Sequence, residues 1–198
     1  MQEQTFNIVN QAVADPSTVG LASFGIGLFT LSFFNAGLIG PNSISIIIPL
    51  AVLVGLIHFF ACLNGFKKNE LFTGLVFGIY GMFWVVYGLI NFGVAVKWYV
   101  MDANALLVFL VAYTIFNTYV MVASFVTNWA VILTLALLEA VFLLLDFGLA
   151  GHPGLIVYAG YIGMVDGLMA LYISAAGLLA SLWGRSVLPV GPIVKASL

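Results

Sequence analysis

Charge is what this sequence has least of: five Lys and Arg and seven Asp and Glu in 198 residues. An ordinary soluble domain carries roughly a quarter charged residues, so a water-facing surface of the usual kind is excluded. A basic footprint for nucleic acid is missing too, at a formal net charge of −2. Cysteine occurs once, at Cys62, which excludes an intrachain disulfide. The two histidines, His58 and His152, lie too far apart in the chain to suggest a clustered ligand set or a nucleophile with its base. No Lys falls within a long apolar run, so a Schiff-base photoreceptor is disfavoured. Neither enzyme chemistry nor a metal or other cofactor is expected.

What the chain has instead is apolar sequence, 64% of it. A hydrocarbon layer of about 30 Å takes roughly 20 apolar residues per helix. Read against Gly, Pro, Asn and charge punctuation, the runs predict spans at 19–39, 44–64, 71–92, 103–125, 129–149 and 155–183. A lipid-facing barrel would alternate in segments of about ten residues, and these runs do not. The expectation is an all-α polytopic membrane protein with six transmembrane helices. Residues 1–18 form an N-terminal segment, 19–183 the transmembrane domain and 184–198 a tail. Phe6, Ile8, Val9, Ala12 and Val13 suit either a short interfacial helix or a disordered stretch. With no Lys or Arg before the first span, no secretory signal is expected.

Basic residues set orientation, since cytoplasmic loops are enriched in them. Lys67, Lys68, Arg185 and Lys195 share one side of a six-span protein with both termini, and Lys97 lies on the other. Both termini are therefore expected in the cytoplasm, and the protein in the cell's inner or plasma membrane.

Small residues at helical spacing, Gly74 with Gly78 and Gly163 with Gly167, suit close helix packing. Polar groups within spans are costly and are functional candidates by default. Glu139 and Asp166 have two readings: carboxyls satisfied by buried partners, or proton sites, since low dielectric favours a carboxyl's neutral form. His58 reads as a hydrogen-bonded packing residue. Tyr80, Trp84 and Tyr87 share one helix stripe; such stripes pack, and they can also line a narrow passage where ring edges and hydroxyls face a small carboxylate. No span carries a mid-membrane Lys or Arg, so a fixed anion trap is excluded; weak, multi-site contact suits conduction.

Particular residues then point to a family. Asp15-Pro16-Ser17-Thr18-Val19-Gly20-Leu21, leading to Phe24-Gly25, resembles the Asn-Pro-Ala-Pro-Leu-Gly-Leu signature of the acetate uptake transporter family, which includes the succinate/acetate permeases. Asn35 and Gly37, Lys67-Lys68, Tyr80-Gly81-x-Phe83-Trp84 and the tail Gly184 to Gly191 fit as well. The chain departs from the signature at Asp15, Thr18 and Val19, and a carboxylate at Asp15 would repel an anion at a pore mouth unless turned away. The resemblance implies a homohexamer in the lipid bilayer, each protomer enclosing a pore with a constriction of Phe24, Tyr80 and Leu138. It implies passage of acetate, and of succinate or other short carboxylates, by a channel or with protons. Pro16, Gly20, Leu21, Asn35, Trp84, Tyr87 and Asn117 are expected along the substrate path or its motif. A channel for small neutral solutes such as urea or short amides is the alternative.

Overall fold

The structure is a computed structural model, and it describes residues 14–191. Six long helices account for most of them: α1 Pro16–Asn35, α2 Ile44–Lys67, α3 Leu71–Ala95, α4 Ala103–Ser124, α5 Trp129–Leu149 and α6 Gly154–Trp183. A 3-10 turn, Pro41–Ser43, precedes α2. Each of the six is long and apolar enough to cross a membrane. Their outward faces carry exposed Leu63, Ile115 and Leu168, as a lipid-facing surface requires. The stretch from Phe6 to Val13, with its two open readings, and Lys195 in the tail lie outside the described residues.

Local chemistry fixes the ends. The side chain of Asp15 caps α1, accepting from Ser17 N at 2.9 Å and Ser17 Oγ at 2.6 Å, and Pro16 supplies a first-turn residue that needs no N–H. The helix therefore starts before the expected residue 19. It also stops earlier, at Asn35 rather than 39: Gly37 turns to a φ of 71°, and its N–H and that of Leu38 return to Phe34 and Phe33 carbonyls, a left-handed helix stop. Asp102 and Asn128 cap α4 and α5 by accepting backbone N–H bonds. Gly184, at φ 64°, ends α6.

The helices close into a ring. Neighbours in sequence pack side by side from α1 to α3 and from α4 to α6, and α1 lies along α6. Glycine makes two of these seams tight. A Cβ on Gly25 of α1 would sit 2.7 Å from the Gly167 carbonyl of α6, and one on Gly55 of α2 would sit 2.7 Å from the Gly81 carbonyl of α3. Gly74 and Gly163 likewise face neighbouring helices of the same chain, Gly74 against Phe66 and Gly163 against Ser32. The α3–α4 junction is different. There the backbones stay apart and rings fill the gap: Phe83 packs on Tyr113 at 4.9 Å and on Phe109 at 5.5 Å, and Tyr80 on Phe116 at 5.2 Å.

Candidate functional site

A ring of six helices encloses space, and part of it is open. A cavity of about 410 Å³ enters the bundle from the end where α1, α3 and α5 begin and α6 finishes. Its mouth is polar, with Asp15, Ser17, Thr18, Thr73, Thr127 and Asn128, and its depth is largely apolar, with His58 and Thr134 as buried polar members of the wall. The tail bends over this mouth. Gly191 and Val190 carbonyls accept the Trp129 and Ala130 N–H groups, satisfying two of the orphan donors at the start of α5. Tyr172 holds the Pro189 carbonyl at 2.8 Å. Ser186, Leu188 and Val190 thus become part of the wall.

The wall includes Phe24 of α1, Tyr80 of α3 and Leu138 of α5. Each is buried, and the rings of Phe24 and Tyr80 stand 6.3 Å apart. Trp84 backs Phe24 edge-on at 6.5 Å. Phe83, Tyr113 and Phe142 then form a packed aromatic layer, and none of the three lines the cavity.

Of the signature residues, Leu21 and Thr18 line the cavity. Pro16 and Gly20 are buried in the first turns of α1, with the ring of Phe77 lying over Gly20. Asp15 is engaged as the helix cap, so its carboxylate is turned toward the start of α1; an Asn in the same place would cap equally well. Asn35 lies at the far end of α1, half-buried and away from the cavity. Trp84 and Tyr87 belong to the aromatic packing rather than to the cavity wall, Tyr87 stacking on Phe83.

Asn117 is placed differently from a free donor on a path. It is wholly buried, and all its bonding groups are engaged. Its Oδ1 accepts from the Tyr80 hydroxyl at 2.5 Å, and its Nδ2 donates to Leu135 O at 3.1 Å and to Glu139 Oε2 at 2.6 Å. Glu139 takes a further bond from Thr118 Oγ1 at 2.6 Å, and Thr118 is exposed on the outer side of α4. Glu139 therefore lies in the groove between α4 and α5, joined through Asn117 to Tyr80. Asp146 repeats the arrangement two turns on, accepting from Thr114 at 2.6 Å. Asp166 is the opposite case: completely buried on α6, with neither carboxyl oxygen bonded among the described residues. It does not line the cavity.

His58, read from the sequence as a hydrogen-bonded packing residue, is hydrogen-bonded through Nδ1 and is also part of the cavity wall. It lines the wall beside Phe24 and Phe77, at ring distances of 6.3 and 5.2 Å. An isolated histidine in an apolar run carries no signal beyond its cost in the membrane; its neighbours come from α1 and α3, which only the fold brings together. No group of three or more His, Cys, Asp or Glu suited to a metal occurs among the described residues.

The comparisons with known proteins fall on this geometry. The model of the GPR1/FUN34/yaaH family matches residues 1–193. The chain belongs to that family. It is 30% identical over 187 residues to the succinate-acetate/proton symporter SatP of Escherichia coli strain K12, covering 92% of this chain and 97% of that protein. Acetate permease A of Emericella nidulans is 26% identical, over 89% of this chain and 65% of the permease. Ammonia transport outward protein 3 of Saccharomyces cerevisiae is 30% identical, over 80% of this chain and 60% of the yeast protein. Among solved structures, that of the bacterial acetate channel SatP superposes with a TM-score of 0.84 at 29% identity, covering 90% of this chain and 99% of that one. The family member described here is thus a multi-pass helical membrane protein of a transporter fold.

Proposed function

We propose that this chain carries acetate, and succinate or similar short carboxylates, across a membrane through the space inside its six-helix ring. Phe24, Tyr80 and Leu138 are the narrow neck of that path. The observation that carries the reading is the cavity itself: a polar mouth, a largely apolar depth, and these three buried side chains together on its wall. The family membership and the names of the bacterial relative and its channel structure support the choice of substrate. A neck of hydrocarbon and ring surfaces accepts a methyl group but offers an inorganic anion nothing in place of its water shell. With no Lys or Arg on the wall among the described residues, contact with the substrate stays weak enough for release.

Further parts of the proposal concern setting. The protein sits in the cell membrane as a homohexamer, with 1–18 and 184–198 cytoplasmic, so the cavity opens to the cytoplasm. Lys67, Lys68 and Arg185 lie at the cavity's end of the bundle and Lys97 at the other, which is the distribution the positive-inside rule asks for. Glu139 and Asp166 are the groups proposed to take up protons. Glu139 communicates with the neck through Asn117 and Tyr80, and Asp166 is completely buried with no partner for either oxygen among the described residues.

The experiment is uptake of labelled acetate into liposomes holding the purified protein, with and without a pH gradient, competed by succinate, chloride and urea. Competition by succinate and not urea is expected. Urea entering in place of acetate would instead support the neutral-solute reading, which the yeast ammonia transport relatives also favour.

A further inference from the structure

His58 is buried without solvent exposure on α2, yet one of its two ring nitrogens has no partner among the described residues. Its Nδ1 lies 2.9 Å from the Val54 carbonyl and 3.2 Å from Ser23 Oγ. A carbonyl can only accept. The Ser23 hydroxyl donates its own proton to the Gly20 carbonyl at 2.9 Å, so toward the imidazole its oxygen is an acceptor too. Both neighbours therefore require the proton on Nδ1. In the neutral ring Nε2 is then a bare lone pair, and it has no hydrogen-bond donor among the described residues.

The position of that lone pair gives it a use. His58 shares the cavity wall with Phe24 and Tyr80 of the neck, and the rings of Phe24 and Phe77 pack against it. Among the described residues the other titratable groups on the wall are Asp15 at the mouth and Tyr80 at the neck, and neither bonds to His58. On its own helix, Cys62 one turn on lies against Gly78 instead. A lone pair in a dry, apolar site repels an anion and accepts from an O–H.

We infer that His58 Nε2 is the point at which the path binds its substrate in the acid form, by accepting the hydroxyl proton of a short carboxylic acid. The inference rests on the carboxylate reading of the cavity. Phe24 and Phe77 turn aside to admit the carboxyl group, and the methyl end stays against the neck. Ser23 and Val54 are positioning groups, holding the tautomer that leaves Nε2 free.

Solid-state NMR of the full-length protein in liposomes tests this directly. The sequence has two histidines, so His152→Gln, in an exposed loop, leaves His58 as the only source of imidazole signals in protein labelled with 15N-histidine. Adding acetate at mildly acidic pH should displace the Nε2 resonance in a saturable way, and more than that of Nδ1. Chloride and ammonium chloride at equal concentration should leave it in place. An Nε2 signal indifferent to acetate, in liposomes that do take up labelled acetate, overturns the inference while the transport reading stands. Displacement without uptake keeps the binding site and sinks transport; displacement by ammonium as well as acetate overturns the choice of a carboxylic acid. In uptake assays, His58→Phe keeps a ring but removes the lone pair, and should raise the KM for acetate about tenfold, one lost hydrogen bond. An unchanged KM would contradict the assignment.

Discussion

The two halves of the bundle's interior are built from similar residues and do opposite things. On the side of the chain termini, α1, α3 and α5 begin around a cavity of about 410 Å³ whose mouth is ringed by hydroxyls and Asn128. On the other, Phe83, Phe109, Tyr113 and Phe142 stack and tilt against one another with ring centroids mostly 5 to 6 Å apart, and none of the four lines the cavity. Phe24 and Tyr80 sit where one half gives way to the other. An aromatic ring in this fold is a structural brick when rings surround it on all sides; a ring with one side empty, as at Phe24, is the proposed neck. The same truncation should therefore have different consequences in the two halves.

The sharpest form of that contrast is Phe83→Ala against Phe24→Ala. Phe83 touches five other rings, so its loss leaves a cavity that close neighbours cannot fill and should cost about 3 to 5 kcal/mol. Phe24 already borders open space, and its loss should cost clearly less. Thermal unfolding in detergent followed by light scattering checks this; equal losses would erase the distinction between the halves. Next in size is Asn117→Leu, which strands the Tyr80 hydroxyl and removes two bonds to its neighbours. A loss of about 1 to 3 kcal/mol is expected, read as a lowered melting temperature. Tyr80→Phe, which removes the donor and keeps the ring, should cost less. The mildest change is at the mouth. Asp15→Ala should cost about 1 kcal/mol through the lost cap, and Asp15→Asn nearly nothing. If Asp15→Asn instead altered acetate uptake as much as Asp15→Ala, the carboxylate would be acting on substrate and not on the helix.

The outline of this molecule was legible because lipid leaves few choices. Six apolar runs can only be helices, and their order and most of their limits follow from Pro, Gly and Asn in the loops. The misplaced ends of α1 came from local backbone chemistry, Asp15 capping early and Gly37 turning left-handed early, which hydropathy does not register. The proposed neck was approached through the resemblance, since Phe24 and Tyr80 stand in its motifs. What lay hidden was helix rotation. Asn117 and Glu139 belong to different helices 22 residues apart in the chain, and no periodicity tells that they face each other. Glu139 follows Leu138 by about 100° around α5, so one enters the cavity wall and the other the groove toward α4. His58 was hidden for the same reason: Ser23, 35 residues away, and the rings of Phe24 and Phe77 meet it from α1 and α3.

The central claim is that the cavity is a carboxylate path narrowed at Phe24, Tyr80 and Leu138. Its most direct test is the ratio of labelled acetate to labelled chloride uptake in liposomes bearing the parent protein or Phe24→Ala. The account predicts that the parent admits acetate well above empty liposomes while excluding chloride, and that Phe24→Ala admits chloride and lowers the ratio about tenfold or more, on the order of 1.4 kcal/mol of discrimination. A parent that moves no acetate, or a Phe24→Ala protein with the parent's ratio, would contradict it.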